Sequence, residues 1–153
     1  MANSILSNLR LAGLLTMSIA TLIVLLSAFA VEGNEPSVIS ASEATAKSAD
    51  GDLLIIDVRT PAEWRETGTP RGAARANIFD HDFIEQIARI VGSDKSRLIA
   101  MICARGNRST RAKQMLAEAG FSNVQNVRES MLGSAYGRGW LASGYPTQSC
   151  ALC

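Results

Sequence analysis

Histidine is almost missing from this sequence. His81 stands alone among 153 residues, too few imidazoles for a catalytic zinc site or a mechanism built on several of them. An excess of charge is missing as well. The formal net charge is +1, and phosphate-backbone binding needs a concentrated basic face, so no nucleic-acid partner is expected. The longest basic clustering is Arg105, Arg108, Arg111 and Lys113. With 19% charged and 47% apolar residues the chain lacks the composition of a disordered segment, and neither an internal repeat nor a low-complexity tract is present. What is there has room for one packed domain.

The N-terminus reads as separate from that domain. Arg10 and the free amine carry its only positive charges, and an uncharged run follows from Leu11 to Val31. It ends in Ser27-Ala28-Phe29-Ala30, a small-x-small site, and Glu32 and Glu35 come next. This pattern predicts an export signal over residues 1–30. The alternative is an uncleaved anchor, since about 20 apolar residues suffice to span a bilayer. In both cases the charge bias puts the domain on the outer, periplasmic or otherwise extracytoplasmic side, with membrane contact only through this segment. Residues 31–39 read as a linker, 40–147 as the domain and 148–153 as a tail.

Strand-like and helix-like segments then alternate. Ser40 to Ser48 suits a short helix, and Leu53-Leu54-Ile55-Ile56 is an apolar run typical of a strand buried on both faces. Thr60-Pro61-Ala62-Glu63 carries a hydroxyl N-cap, a proline at the first helical position and a glutamate that closes a capping box. Gly68, Pro70 and Gly72 mark a turn before a strand near Ala76-Asn77-Ile78-Phe79. Asp80 is a candidate N-cap for a helix whose apolar face is Phe83, Ile84, Ile87, Ala88 and Val91. Leu98 to Ile102 is a second wholly apolar strand. Ser109 or Thr110 would cap the next helix, Val124 to Val127 a further strand, and Gly137 to Pro146 a short terminal helix and turn around Trp140. Together these predict a three-layer α/β/α domain with a mostly parallel central sheet.

Ligands of such sheets bind beyond the carboxyl ends of the strands, and Cys103 lies at one. The loop Cys103-Ala104-Arg105-Gly106-Asn107-Arg108-Ser109 leads from that strand into a helix. Free N–H groups of the first turn and the helix dipole favour negative charge there. Gly106 lets the backbone curl into an anion nest, and Arg105 and Arg108 add positive charge. All three effects favour thiolate over thiol at Cys103 without a general base, and they suit an oxyanionic substrate. Asp57 and Arg59, at the end of a buried strand on the same edge, read as a supporting ion pair or hydrogen-bond network.

Asp57-Val58-Arg59-Thr60-Pro61-Ala62-Glu63-Trp64, Gly72-Ala73, Asn77-Ile78, the Cys103–Ser109 loop and Gly139-Trp140-Leu141-Ala142-Ser143-Gly144-Tyr145-Pro146 together resemble a single-domain rhodanese. The resemblance runs from about Ser40 to Pro146, and its specific part is the Cys-x-x-Gly-x-Arg loop. It implies a sulfurtransferase that needs no metal or cofactor. Cys103 would take the outer sulfur of a donor such as thiosulfate as a persulfide and pass it to cyanide or a thiol acceptor. The amides of Ala104, Arg105, Gly106, Asn107, Arg108 and Ser109 would bind the persulfide and the donor's anionic end. Where the family often has arginine after the cysteine, this chain has Ala104, with the charge at Arg105, and Thr69-Pro70 replaces a usual histidine-isoleucine pair. Related phosphatases and arsenate reductases place one residue more between cysteine and arginine than the four found here, a ring better suited to phosphate than to sulfur. The alternative within the resemblance is a non-catalytic rhodanese-like module that binds a partner or senses redox state.

Other motifs have plainer readings. Glu63 is expected to act only as a cap, Trp64 and Trp140 to fill the core, and His81, Arg111 and Lys113 to be solvated. Cys150 and Cys153 form a Cys-x-x-Cys suited to a local disulfide in an oxidising compartment, or to accepting sulfur from Cys103.

Overall fold

A computed structural model describes residues 37–153; the segment expected to be an export signal or anchor, and most of the expected linker, lie outside the described residues. In chain order the elements are β1 (Val38–Ile39), α1 (Ala41–Ala49), β2 (Leu54–Asp57), α2 (Pro61–Thr67), β3 (Thr69–Pro70), β4 (Ala74–Arg75), α3 (Phe83–Ile90), β5 (Ile99–Ile102), α4 (Asn107–Glu118), β6 (Val124–Val127), α5 (Gly139–Ala142) and β7 (Thr147–Gln148). The apolar runs that predicted doubly buried strands form the middle of a parallel sheet with strand order β1-β6-β5-β2-β4. One face packs Ile56, Met101 and Val124 against Phe83, Ile87 and Leu116 of α3 and α4. The other packs Ile55, Ala100 and Val127 against Ala41 and Ala44 of α1 and Trp140 of α5. These are the three expected layers.

Strong local signals form the elements they predict. Ser40 caps α1 through the Glu43 N–H, and the Thr60–Glu63 capping box opens α2. Four expectations need correction. Val38 and Ile39, at the end of the stretch read as linker, pair with Asn126 and Val127 as an edge strand. Gln148, read as tail, pairs with Thr69 in a small antiparallel sheet that pins the C-terminus. The strand expected at Ala76–Phe79 forms two residues earlier, because only Ala74 and Arg75 lie in register with Ile56 and Asp57. Asp80 does not cap α3 with its side chain; its carboxylate accepts from Asn77 and Gln86, while its carbonyl takes the Phe83 N–H.

One close approach positions the functional edge. Gly139 has φ +84°, and a Cβ there would stand 2.1 Å from the Gly133 backbone nitrogen. Only glycine permits that contact. It lets Trp140 and Leu141 donate their N–H groups to the carbonyls of Ser130 (2.8 Å) and Met131 (3.2 Å), fixing the loop after β6.

Candidate active site

That fixed loop is a shelf under the end of β5. Met131 and Leu132 donate their backbone N–H groups to the carbonyls of Cys103 and Ala104, both at 2.9 Å. Beyond them Gly106 turns the chain at φ +104° and ψ −30°, a left-handed region that an L side chain resists. The turn points the Gly106 N–H back at Cys103 Sγ, 3.1 Å away. Helix α4 then starts at Asn107, earlier than expected, with Gly106 rather than Ser109 or Thr110 at its N-cap. Gly106 turns the chain into the helix without a side-chain cap, so the first-turn N–H groups have no capping side chain and Ser109 is not used as one. The buried Ser109 Oγ lies 3.3 Å from Cys103 Sγ and 3.0 Å from the Gly106 carbonyl. Its single proton serves one acceptor at a time. Thr110 is exposed and accepts from Asn126.

Cys103 is set deeper than its position at a loop suggests. It is 1% exposed and belongs to the core cluster facing α3 and α4. Its sulfur is the floor of the loop rather than a group on its rim.

The charges differ from expectation at one point. Arg108 is not free to meet a substrate: Nη1 and Nη2 donate to Glu63 Oε2 (2.7 Å) and Oε1 (2.6 Å). Glu63, read only as a cap, therefore does two jobs, since Oε2 also accepts from the Thr60 N–H at 3.0 Å and its hydroxyl at 2.8 Å. The Arg108 bonds hold this carboxyl at about 2, against an ordinary 4.5, with Thr60 helping and partial burial opposing. Arg108 is shifted upward, chiefly by its bond to Glu63. Sequence reasoning could have found the pair only from the adjacency of β2 and β5, since the helices that follow them, α2 and α4, carry the two residues in their first turns. Arg105 and Asn107 are exposed, Ala104 is half-buried, and Arg105 forms no ion pair among the described residues. Arg105 is thus the loop's uncommitted cation.

Asp57 and Arg59 form the expected pair, fully buried. Arg59 Nη2 reaches Asp57 Oδ2 at 2.7 Å and the Gly68 carbonyl at 2.6 Å, and Nη1 reaches Thr67 Oγ1 at 2.7 Å. The pair ties the end of β2 to the end of α2. Asp57 lies in register with Ile102, so it stands one strand from Cys103. Its carboxylate accepts from Arg59 and from no residue of the cysteine loop, and its carbonyl accepts from the Ala76 N–H. Trp64 and Trp140 are buried, and His81 and Arg111 are exposed. Lys113 donates to the Ser37 carbonyl.

A strand-end sulfur with two donors at hand, at the mouth of a 12-residue helix, is arranged to hold an anionic sulfur or one further sulfur atom. Comparisons with known proteins agree in architecture. The family model described as "Rhodanese-like domain" matches residues 40–133. The solved rhodanese-like domain of an Anabaena protein is 22% identical and superposes with a TM-score of 0.61, over 75% of this chain and 80% of that one. A thiosulfate sulfurtransferase of Pseudomonas aeruginosa is 23% identical with a TM-score of 0.56, over 73% of this chain and 20% of that one. Among curated proteins, the tRNA uridine(34) hydroxylase of Teredinibacter turnerae is 29% identical over 108 residues, which are 67% of this chain and 33% of the hydroxylase.

Proposed function

The chain belongs to the rhodanese-like domain family, and on that premise we propose that it is an extracytoplasmic sulfurtransferase working through Cys103. The observation that carries the reading is the Gly106 N–H aimed at Cys103 Sγ at 3.1 Å, with the Ser109 hydroxyl beside it. A sulfur that only filled the core would have no use for either donor.

In the proposed cycle the Cys103 sulfur, as its anion, attacks the outer sulfur of thiosulfate. The donor's S–S bond breaks, sulfite leaves with the bonding pair, and Cys103 carries a persulfide. Cyanide or a thiolate then takes the terminal sulfur, and the electron pair returns to Cys103. Arg105 draws the anionic donor toward the loop, and the first-turn amides of α4 receive its oxygens or the persulfide. Arg108, neutralised by Glu63, acts by anchoring α4 to α2 and so holding the ring in shape. Placement outside the cytoplasm rests on the N-terminal segment alone.

Incubation of the protein with thiosulfate and cyanide tests the cycle. Thiocyanate should form with wild type and fall to background in Cys103→Ser, and mass spectrometry should find one added sulfur atom on Cys103. A specific observation favours a second reading. Cys103 is 1% exposed, which suits a non-catalytic module that binds a partner or senses redox state. Equal background in wild type and variant would decide for that module.

A further inference from the structure

A second sulfur centre lies on the same edge of the sheet, apart from the loop of Cys103. Cys150 and Cys153 are joined in a disulfide, with Cα atoms 5.4 Å apart. They line a groove of about 550 Å³ together with Trp64, Arg75, Asn77 and Asp80, and no residue of the Cys103 loop is among its lining. Its size suits a small ligand. Strand β7 and the Gly72–Gln148 bond hold the tail in place up to this point.

Three features make the pair more than a staple. The Arg75 guanidinium contacts both sulfurs: Nη1 meets Cys150 Sγ directly and stands 2.9 Å from Cys153 Sγ. A permanent cation on sulfur stabilises thiolate and so favours the opened pair. The two sulfurs are also unequal, since Cys150 is buried (7% exposed) whereas Cys153 is half-exposed. Finally, Trp64 lines the groove and is 7% exposed, and its indole Nε1 is buried without a hydrogen-bond partner. A buried donor without an acceptor is costly, and a ligand carbonyl or carboxylate would satisfy it.

We propose that Cys150, Cys153 and Arg75 form a thiol–disulfide exchange site for a carboxylate-bearing small thiol. The incoming thiolate attacks the accessible Cys153 sulfur. The Cys150–Cys153 bond breaks, a mixed disulfide forms on Cys153, and the electron pair leaves on Cys150 as a thiolate against Arg75. A second thiolate attacks the ligand sulfur of the mixed disulfide and releases Cys153. Overall, two small thiols are oxidised to their disulfide and the protein pair is reduced to two thiols, which take up the two protons. A turn of the Trp64 ring toward the groove brings its buried Nε1 to the ligand's carboxylate or peptide carbonyl. The order is set by burial: the outer sulfur, Cys153, exchanges, and the inner one, Cys150, leaves and returns.

Glutathione is the probe, and the full chain carrying Cys103→Ser is the background, so the outcome is independent of the sulfurtransferase reading. With oxidised glutathione, the further variant Cys150→Ser should gain the adduct on Cys153 at least tenfold faster than Cys153→Ser gains it on Cys150. In glutathione redox buffers, Arg75→Gln should shift the equilibrium of the pair toward the disulfide by about tenfold, and Arg75→Lys should recover most of it. Equal adduct rates on the two cysteines overturn the proposal, and so does a folded Arg75→Gln chain with an unshifted equilibrium. Should Arg75→Gln fail to fold, the comparison of the two serine variants decides by itself.

Discussion

Replacing Glu63 by glutamine isolates the charge that holds Arg108. The amide oxygen still accepts from the Thr60 N–H, so the helix cap survives while the ion pair is lost. Moving the carboxyl from 4.5 to about 2 would correspond to roughly 3 kcal/mol if all of it entered stability. The paired side chains are 26% and 24% exposed, and water screens them, so the expected cost at pH 7 is about 1–2 kcal/mol. The sign follows from a carboxyl whose folded value lies below its unfolded one. Its contribution is complete above about 4.5 and is lost as pH falls through about 2. Urea unfolding of wild type and Glu63→Gln at pH 7, 4.5 and 3 measures this. The gap should be full at pH 7, smaller at pH 4.5 and about half or less by pH 3. No gap at pH 7, or a gap of constant size down to pH 3, would refute the reasoning.

The remaining predictions concern the same edge. Asp57→Ala leaves the Arg59 guanidinium, 1% exposed, without its counter-charge, and should cost about 3–5 kcal/mol in thermal or denaturant unfolding. A loss under about 1 kcal/mol would mean that Thr67 and Gly68 satisfy Arg59 by themselves. Ser109→Ala removes the hydroxyl 3.3 Å from Cys103 Sγ and should slow persulfide formation about tenfold at nearly unchanged stability. A normal rate, followed by mass spectrometry after timed exposure to thiosulfate, would leave the Gly106 N–H as the sufficient donor. Gly139→Ala drives a methyl to 2.1 Å from the Gly133 nitrogen at a φ of +84° and should destabilise by more than about 2 kcal/mol. Wild-type stability on chemical denaturation would show that the 130–133 shelf can shift.

Legibility in the sequence followed the range of the interaction. The capping box of α2 depends on Thr60 and Glu63, three positions apart, and was readable from the order of residues. The doubly buried strands β2 and β5 were readable because a sheet covered on both faces selects continuous apolar runs. Errors arose where an equally good local signal was available. Ser109 and Thr110 look like caps, yet Gly106 takes that place because its positive φ turns the chain first. Ala76 to Phe79 has the apolar content of a strand, but register with β2 stops at Arg75, and Phe79 is 66% exposed.

From residue order alone came the parallel α/β class, the cysteine at the end of β5, the glycine-containing loop beyond it and the family resemblance. The first three rest on periodicity, burial propensity and turn chemistry, and the resemblance rests on the motifs themselves, above all the Cys103–Ser109 loop. Tertiary structure alone decided which charges remain available. Arg108 meets Glu63 across 45 residues and Arg75 meets Cys153 across 78, so one arginine of the loop is already committed while an unremarked one serves a second sulfur centre. Guanidinium groups on long side chains pair with whatever the fold brings within reach, and no local pattern encodes that choice.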